Sequence, residues 1–388
     1  MNIHMLFNAT LSGMSGGDRR ALEVLAYLSK NHMDCTVYAP QIFAQTICEF
    51  GIAPAKTVIT STKKSQSRNI ILRYMIHTKR ALRDIPKKSN GIIYYCTSAY
   101  LPDILPAIRG KKRNKGSKIV VPVFHIIEHY KTRPGGKINN IIAYYEQRYS
   151  LRLIKKHADS ILVINTPVKE QLEKDGFDKN KIRLVDCGID APLINSSQPN
   201  TDAGGSYEAI YMGRLAPSKG IYDIAEIWSI VNKKLPEARL AIIGKGDEKT
   251  EANLKSLLDK YGLEGKVDIL GFLESRDAYA YMKRAKVFIF PSHEEGWGIA
   301  IAEAMACHLT AVTYDLPAYK HIFNGINQEA PFGKTDKMAE LAIELLSNEP
   351  KREKLAKEGH DLVFGRYTWD TIAANELKYL SELDNNNF

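Results

Sequence analysis

Short apolar runs alternate with longer mixed segments along almost the whole chain. The apolar runs predict β-strands at 2–7, 35–39, 91–95, 119–124, 160–164, 183–185, 209–212, 239–243, 267–270, 286–290 and 310–313. The segments between them predict helices, among them 18–30, 67–82, 138–156, 167–175, 220–233, 248–261, 275–284, 299–306 and a helical run from 336 onward. Continuously apolar strands that alternate with helices are typical of parallel sheets covered on both faces. The pattern predicts an α/β protein.

The alternation breaks at residues 191–206, which are rich in turn-forming residues and lack periodicity. A chain of 388 residues is long enough for two domains. We therefore predict an N-terminal domain over 1–190, a linker over 191–206 and a C-terminal domain over 207–365. Both domains are expected to be doubly wound and Rossmann-like. We expect them to face each other across a cleft, because ligands bind at the carboxyl ends of parallel strands.

Composition places the chain among ordinary globular proteins, with 44% hydrophobic and 25% charged residues. No apolar run approaches the roughly 20 residues needed to span a bilayer, and the N-terminus lacks the features of a signal peptide. The five cysteines are scattered and form no Cys-x-x-Cys pair. These features predict a cytoplasmic protein with reduced thiols, without a disulfide framework or a zinc site.

The basic residues are concentrated in the first half of the chain. Residues 1–200 carry 31 Lys and Arg against 15 Asp and Glu, a net charge of +16, whereas residues 201–388 have a net charge of −6. Such asymmetry predicts an anionic partner: a membrane surface, a phosphate-bearing acceptor or a nucleic acid. A solvated basic surface without a partner is the alternative. The predicted helix 67–82, which mixes apolar and basic residues, suits docking on an anionic membrane.

The segment 291–307 carries the most informative motif. A buried strand is expected to end at Pro291, and a turn containing Gly296 and Gly298 is expected to lead into a helix. The N–H groups at a helix N-terminus form an anion site. Glu295 and Glu303 can face the same crevice, so the segment suits a phosphorylated sugar whose hydroxyls need acceptors. An ordinary Gly-rich turn is the alternative, because a Glu near a helix N-terminus also favours the helix dipole.

A second motif, at residues 213–220, follows the first predicted strand of the C-terminal domain. Arg214 and Lys219 lie five positions apart across a turn, so both can converge on a diphosphate and stabilise it as a leaving group. Ser218 is predicted to cap the following helix. The alternative is a capped turn with two exposed cations.

The N-terminal domain offers a glycine-rich loop at residues 12–18, which matches neither a dinucleotide fingerprint nor a P-loop. His125 follows an apolar strand, where a substrate contact is expected. The spacing of His125, Glu128 and His129 also fits a zinc signature, so metal binding and a structural role are alternatives.

Together these motifs resemble those of the GT-B glycosyltransferases, specifically the large retaining family 4, over nearly the whole chain. The matching segments are Gly16-Gly17, Cys187-Gly-Ile-Asp190, Gly213-Arg-Leu, Ser218-Lys-Gly, Ile243-Gly-Lys-Gly-Asp-Glu248, Glu295-x7-Glu303 and Tyr367-Thr-Trp369. Cys187 departs from the Asn that is usual in this family. The resemblance implies that residues 366–388 form a helix returning to the first domain.

The resemblance also implies roles for individual residues. Arg214 and Lys219 would bind the donor diphosphate, Glu295 would contact the donor sugar, and His125 would contact it near the transferred carbon. The remaining donor contacts would come from Gly16, Gly17, Gly213, Gly244, Lys245, Gly246, Gly298, Ile299, Ala300 and Glu303, the last on the ribose. The chain has no Asp-x-Asp triplet, which suggests that cationic side chains rather than a metal neutralise the diphosphate.

The sequence thus predicts a metal-independent, retaining hexosyltransferase without a cofactor. Its donor is expected to be a UDP- or GDP-linked mannose, glucose or N-acetylglucosamine. Its acceptor is expected to be a glycan or a lipid-linked molecule, which suits a cytoplasmic protein or one peripheral on the inner face of the membrane. The alternatives are another GT-B enzyme (an epimerase or a phosphorylase) and a non-catalytic basic subunit that binds nucleic acid or membrane.

Overall fold

The chain forms two compact units. The structure is a computed structural model that describes residues 1–9, 16–62, 70–86, 91–127, 129–131, 137–199 and 206–385. Unit 1 comprises Met1–Asp186 together with Trp369–Phe388, and unit 2 comprises Cys187–Thr368.

Unit 1 is built on a parallel sheet of seven strands in the order β3-β2-β1-β4-β5-β6-β7. Its strands are β1 (Asn2–Leu6), β2 (Cys35–Pro40), β3 (Lys56–Ser61), β4 (Ile92–Cys96), β5 (Lys118–Pro122), β6 (Ser160–Val163) and β7 (Ile182–Leu184). The helices between them are α1 (Gly16–Lys30), α2 (Gln41–Glu49), α3 (Ile70–Asp84), α4 (Leu101–Arg113), α5 (Lys137–His157) and α6 (Thr166–Lys174). Two apolar cores flank the sheet, as parallel strands buried on both faces require.

Unit 2 repeats this architecture with six parallel strands in the order β10-β9-β8-β11-β12-β13. The strands are β8 (Tyr207–Met212), β9 (Leu240–Ile243), β10 (Val267–Gly271), β11 (Ala285–Phe290), β12 (Thr310–Tyr314) and β13 (Gln328–Ala330). The helices are α7 (Ala191–Ser196), α8 (Asp223–Lys234), α9 (Glu248–Lys260), α10 (Ser275–Met282), α11 (Ile299–Ala306), α12 (Thr335–Ser347) and α13 (Glu349–Arg366). The two Rossmann-like sheets confirm the predicted α/β fold class.

The last helix, α14 (Trp369–Asn385), belongs to unit 1 and packs against α1. A buried polar network fixes this contact. The Arg20 guanidinium pairs with the Glu376 carboxylate, and Tyr95 donates its hydroxyl to Glu376 Oε1 at 2.5 Å. Arg20 Nε also donates to the Asp186 carbonyl at 2.9 Å. Because both charged side chains are almost fully buried, each depends on the other for its charge balance.

The sequence prediction missed strands β3 and β13 and did not name helices α2, α4 and α7. β3 and β13 each lie at one edge of their sheet, and their sequences, KTVITS and QEA, are mostly polar, so neither gives an apolar run. The predicted linker 191–206 begins with α7, whose N-terminus is capped by the Asp190 carboxylate accepting from the Leu193 N–H at 3.1 Å. None of the described helices is long and apolar enough to cross a bilayer.

Candidate functional site

Unit 2 contains a cavity of about 350 Å³ at the carboxyl ends of β8, β9 and β10. Ligands in open parallel sheets bind at this edge. The lining combines two cations, one carboxylate and an exposed aromatic ring, and it consists of Met212, Gly213, Arg214, Ile243, Gly244, Lys245, Phe272, Leu273, Ser275, Ala278, Tyr279 and Glu303. Such a mixture suits a ligand that carries anionic groups, hydroxyls and an aromatic ring.

The loops that follow β8 and β9 are joined along their edges. The Leu215 N–H donates to the Lys245 carbonyl at 3.1 Å, and Leu215 pairs with Gly246 as an isolated parallel bridge. Gly244 has φ = 142°, and a Cβ there would lie 1.8 Å from the Gly213 carbonyl oxygen. Only glycine permits this approach, so Gly244 allows the two loops that carry Arg214 and Lys245 to lie close together.

Lys219 and Glu295 form an ion pair beside this cavity. Lys219 Nζ lies 2.6 Å from Glu295 Oε1 and donates to the Glu294 carbonyl at 2.8 Å. Gly220 adopts φ = 66°, and a Cβ on it would lie 1.7 Å from the Pro291 carbonyl oxygen. The two predicted motifs, at 213–220 and 291–307, are therefore in direct contact.

Ser218 does not cap α8 as the sequence predicted. It lies inside a 3₁₀ turn, Pro217–Lys219, and α8 begins four residues later without a side-chain cap. The Ser218 carbonyl instead accepts from the His293 N–H at 3.0 Å. The turn therefore serves to join the two motif loops.

Glu303 lies in α11 and is held by a neighbouring tyrosine. Tyr279 of α10 donates its hydroxyl to Glu303 Oε1 at 2.7 Å. Burial, and then the Glu303 charge, raise the pKa of Tyr279 above its ordinary value, so the hydroxyl remains a donor. The same two causes raise the pKa of the Cys307 thiol to about 12, which keeps it uncharged. The sequence carried no signal for the Tyr279 contact, because its partner lies 24 positions away in another helix.

α11 begins at Ile299, as predicted, after Gly298 in a left-handed conformation with φ = 96°. The N–H groups of Ile299 and Ala300 thus fall in the first helical turn, where intrahelical acceptors are missing. Such groups favour an anion.

The structure brings some of the predicted donor residues together. Five of them line the cavity: Gly213, Arg214, Gly244, Lys245 and Glu303. Gly246 lies in the adjoining loop, Gly298, Ile299 and Ala300 open α11, and Lys219 and Glu295 form the neighbouring pair.

The predicted site residues of unit 1 come from two segments, the start of α1 and the loop after β5. His125 is exposed, three residues beyond the end of β5, and its carbonyl accepts from Gln147 Nε2 at 3.0 Å. Gly16 and Gly17 open α1, whereas residues 12–15 of the glycine loop and Glu128 lie outside the described residues. Within the described ranges, no group of three His, Cys, Asp or Glu side chains could hold a metal ion.

Comparison with known proteins matches the C-terminal part of the chain to a protein family. Residues 195–361 match the family model described as "Glycosyl transferases group 1". This match identifies most of unit 2 as a group 1 glycosyltransferase domain. The fold of the chain is GT-B. It superposes on Anabaena HepE, crystallised with UDP and glucose, with a TM-score of 0.76. The superposition covers 98% of this chain and 100% of HepE, at 14% sequence identity. A sucrose-phosphate synthase from Thermosynechococcus elongatus superposes with a TM-score of 0.72, at 14% identity over 99% of both chains.

Curated relatives of the chain include a GDP-mannose:cellobiosyl-diphosphopolyprenol alpha-mannosyltransferase from Xanthomonas oryzae pv. oryzae, 24% identical over 52% of each chain. A phosphatidyl-myo-inositol mannosyltransferase from Mycobacterium leprae is 28% identical over 44% of this chain and 45% of its own. The chain spans about half the length of the curated relatives it matches.

Proposed function

We propose that the protein transfers a hexose from a UDP- or GDP-linked donor to a glycan or lipid-linked acceptor, with retention of configuration. The observation that carries this proposal is the cavity of unit 2, where Arg214, Lys245 and Glu303 meet beside the Lys219–Glu295 pair. Two cations suit a diphosphate and a carboxylate suits ribose hydroxyls. The mannosyl donor and lipid-linked acceptor in the name of the Xanthomonas relative support the same substrate classes.

In the proposed reaction, the bond between the anomeric carbon and the β-phosphate oxygen breaks. The acceptor oxygen bonds to that carbon on the same face, and its proton passes to the leaving phosphate. Arg214 and Lys219 stabilise the departing diphosphate, so the reaction needs no metal. Glu295 contacts the donor sugar, and Glu303 accepts hydrogen bonds from the ribose.

Unit 1 is assigned to the acceptor side of the reaction. His125 contacts the sugar near the transferred carbon, and Gly16 and Gly17 lie by the phosphate and the acceptor. The net charge of +16 in residues 1–200 supports an anionic membrane as the surface on which a lipid-linked acceptor is met. This proposal places the protein in the cytoplasm or on the inner membrane face, with no role in nucleic-acid binding.

Thermal stability with UDP, GDP, ADP and their sugar conjugates tests the donor class. A ligand at 100 times its Kd stabilises the folded protein by about 2.7 kcal/mol. We expect a selective shift of the melting curve with one nucleoside diphosphate, and loss of the shift in Arg214→Ala. If none of them shifted the curve, the non-catalytic alternatives would replace this proposal. Product analysis separates a transferase from an epimerase or a phosphorylase, because only transfer needs an acceptor and releases the diphosphate.

Tyr279→Phe is expected to weaken nucleoside-diphosphate binding about tenfold. The hydroxyl holds Glu303 at 2.7 Å, and a hydrogen bond to a charged group contributes about 1.5–3 kcal/mol. The effect is measured by titration calorimetry with the diphosphate that shifts the melting curve.

A ligand that lacks the ribose hydroxyls shows whether Tyr279→Phe acts by misplacing Glu303 or by disturbing the whole cavity. Wild type and Tyr279→Phe should bind the 2′,3′-dideoxynucleoside diphosphate with equal affinity, because this ligand has no ribose hydroxyl that could donate a hydrogen bond to Glu303. Tyr314→Phe is the matched control, since it removes a 2.7 Å hydrogen bond to Asp223 outside the cavity lining. An equal loss of affinity for both ligands would refute the role of Tyr279.

A further inference from the structure

Helix α5 of unit 1 exposes an apolar stripe. Four large apolar side chains are strongly exposed: Ile138 (74%), Ile141 (39%), Tyr145 (58%) and Tyr149 (51%). Their spacing of three or four residues places them on one side of the helix. Exposed apolar residues that are contiguous, rather than scattered, mark an interaction surface.

The stripe continues into positive charge. Arg152 and Lys156 follow at the same helical spacing, and both are exposed. The sequence of α5 contains five Lys and Arg but a single acidic residue, Glu146. Glu146 does not face outward with them, because its Oε1 accepts from the Leu101 N–H at 2.9 Å and its Oε2 is buried. From Ile138 to Lys156 the stripe is about 27 Å long.

One tyrosine of the stripe, Tyr145, packs against neighbouring aromatic rings. The ring of Tyr145 packs against Tyr144 at 5.3 Å and against Tyr130 at 6.0 Å between centroids. Arg148 lies over the Tyr144 ring at 5.2 Å. A tyrosine whose ring is supported while its edge is exposed suits the interface between water and lipid, where amphipathic rings are favoured.

The opposite side of α5 is fastened to the segment that carries His125. Gln147 is buried, its Nε2 donates to the His125 carbonyl at 3.0 Å, and its Oε1 accepts from the Ile127 N–H at 2.7 Å. Whatever holds the exposed side of α5 therefore also fixes the position of this segment.

We propose that α5 docks unit 1 on an anionic lipid bilayer. Ile138, Ile141, Tyr145 and Tyr149 enter the headgroup region, and Arg152 and Lys156 bind lipid phosphates. The inference deepens the proposed function, because it brings the His125 segment to the surface where a lipid-linked acceptor would lie. The positive charge of unit 1 favours a lipid surface over a second copy of the chain as the partner of this stripe. Two basic units would repel each other, whereas an anionic surface attracts a basic unit.

Co-sedimentation of the full chain with vesicles tests the charged half of the stripe. The vesicles are phosphatidylcholine alone, or phosphatidylcholine with about one third phosphatidylglycerol. One basic side chain near an anionic surface contributes about fivefold in partitioning, so Arg152→Gln with Lys156→Gln should lower binding to the anionic vesicles about 25-fold. Lys233→Gln with Lys234→Gln, two exposed cations ending α8, is the matched control and should bind like wild type.

Tyr145→Ser with Tyr149→Ser tests the apolar half and should lower binding about tenfold, whereas Leu72→Ser with Met75→Ser on α3 should change it less. The proposal is overturned if wild type shows no preference for anionic vesicles, if the α5 variants bind like wild type, or if only the α3 variant loses binding.

Sedimentation of the protein without lipid tests self-association and should show a monomer. Self-association that is lost in the α5 variants would instead assign the stripe to contact with a second copy of the chain. The nucleotide-induced melting shift should be the same in all variants, so this outcome is independent of the donor assignment.

Discussion

Replacing Arg214 or Lys219 with Ala is expected to lower kcat about 10²–10³-fold. In the proposed reaction, both residues supply positive charge where the negative charge of the leaving diphosphate develops, and one preorganised electrostatic stabiliser contributes about that factor. Lys219 is already held in place, 2.6 Å from Glu295 and 2.8 Å from the Glu294 carbonyl, so its charge needs little reorganisation. The measurement is the rate of nucleoside-diphosphate release at saturating donor and acceptor.

Two further variants make this result specific. Lys286→Ala removes a lysine paired with Glu208 at 3.4 Å elsewhere in unit 2, and it should leave kcat unchanged. Lys219→Arg keeps the charge and should retain more activity than Lys219→Ala. Wild-type turnover in both Arg214→Ala and Lys219→Ala would contradict the diphosphate assignment, and a kcat abolished by EDTA would contradict metal independence.

Glu376→Ala is expected to lower the free energy of unfolding of unit 1 by about 3–5 kcal/mol. The variant leaves the Arg20 guanidinium buried without its carboxylate, and the cost of an uncompensated buried charge has this size. The Tyr95 hydroxyl loses its acceptor as well. Urea denaturation followed by a probe in unit 1 measures the effect.

The double variant Arg20→Met with Glu376→Leu supplies the control. Removing both charges together should destabilise the protein far less than Glu376→Ala, because apolar residues of similar size replace a buried pair at little cost. A double-mutant cycle gives the coupling between the two residues. Additive losses would mean that the pair does not act as a unit in the folded protein.

The chain's pattern determined the fold class and most elements. The strands of both sheets that have neighbours on two sides are buried apolar runs, which can be read without knowing their partners. The start of α11 at Ile299 also followed from the sequence, because Gly298 marks the turn before it. β3 and β13 were missed because they contain only two apolar residues and one apolar residue, respectively, which leaves no continuous apolar run.

Local motifs also indicated which residues form the candidate site in unit 2. The motifs at 213–220 and 291–307 predicted Arg214 and Glu303, and the resemblance to GT-B glycosyltransferases implied Lys245. All three line one cavity. Arg214 and Lys245 follow the ends of β8 and β9, and the topology of a parallel sheet brings strand ends to the same edge.

Only the tertiary structure decided which side chains hold these groups in place. The Tyr279–Glu303 bond, the Lys219–Glu295 pair and the Arg20–Glu376 pair join residues 24, 76 and 356 positions apart. No local pattern encodes such partners, because each depends on how separate helices and loops pack. The sequence therefore specified the helices and strands and the functional side chains at their ends. Long-range packing specified the geometry of those side chains.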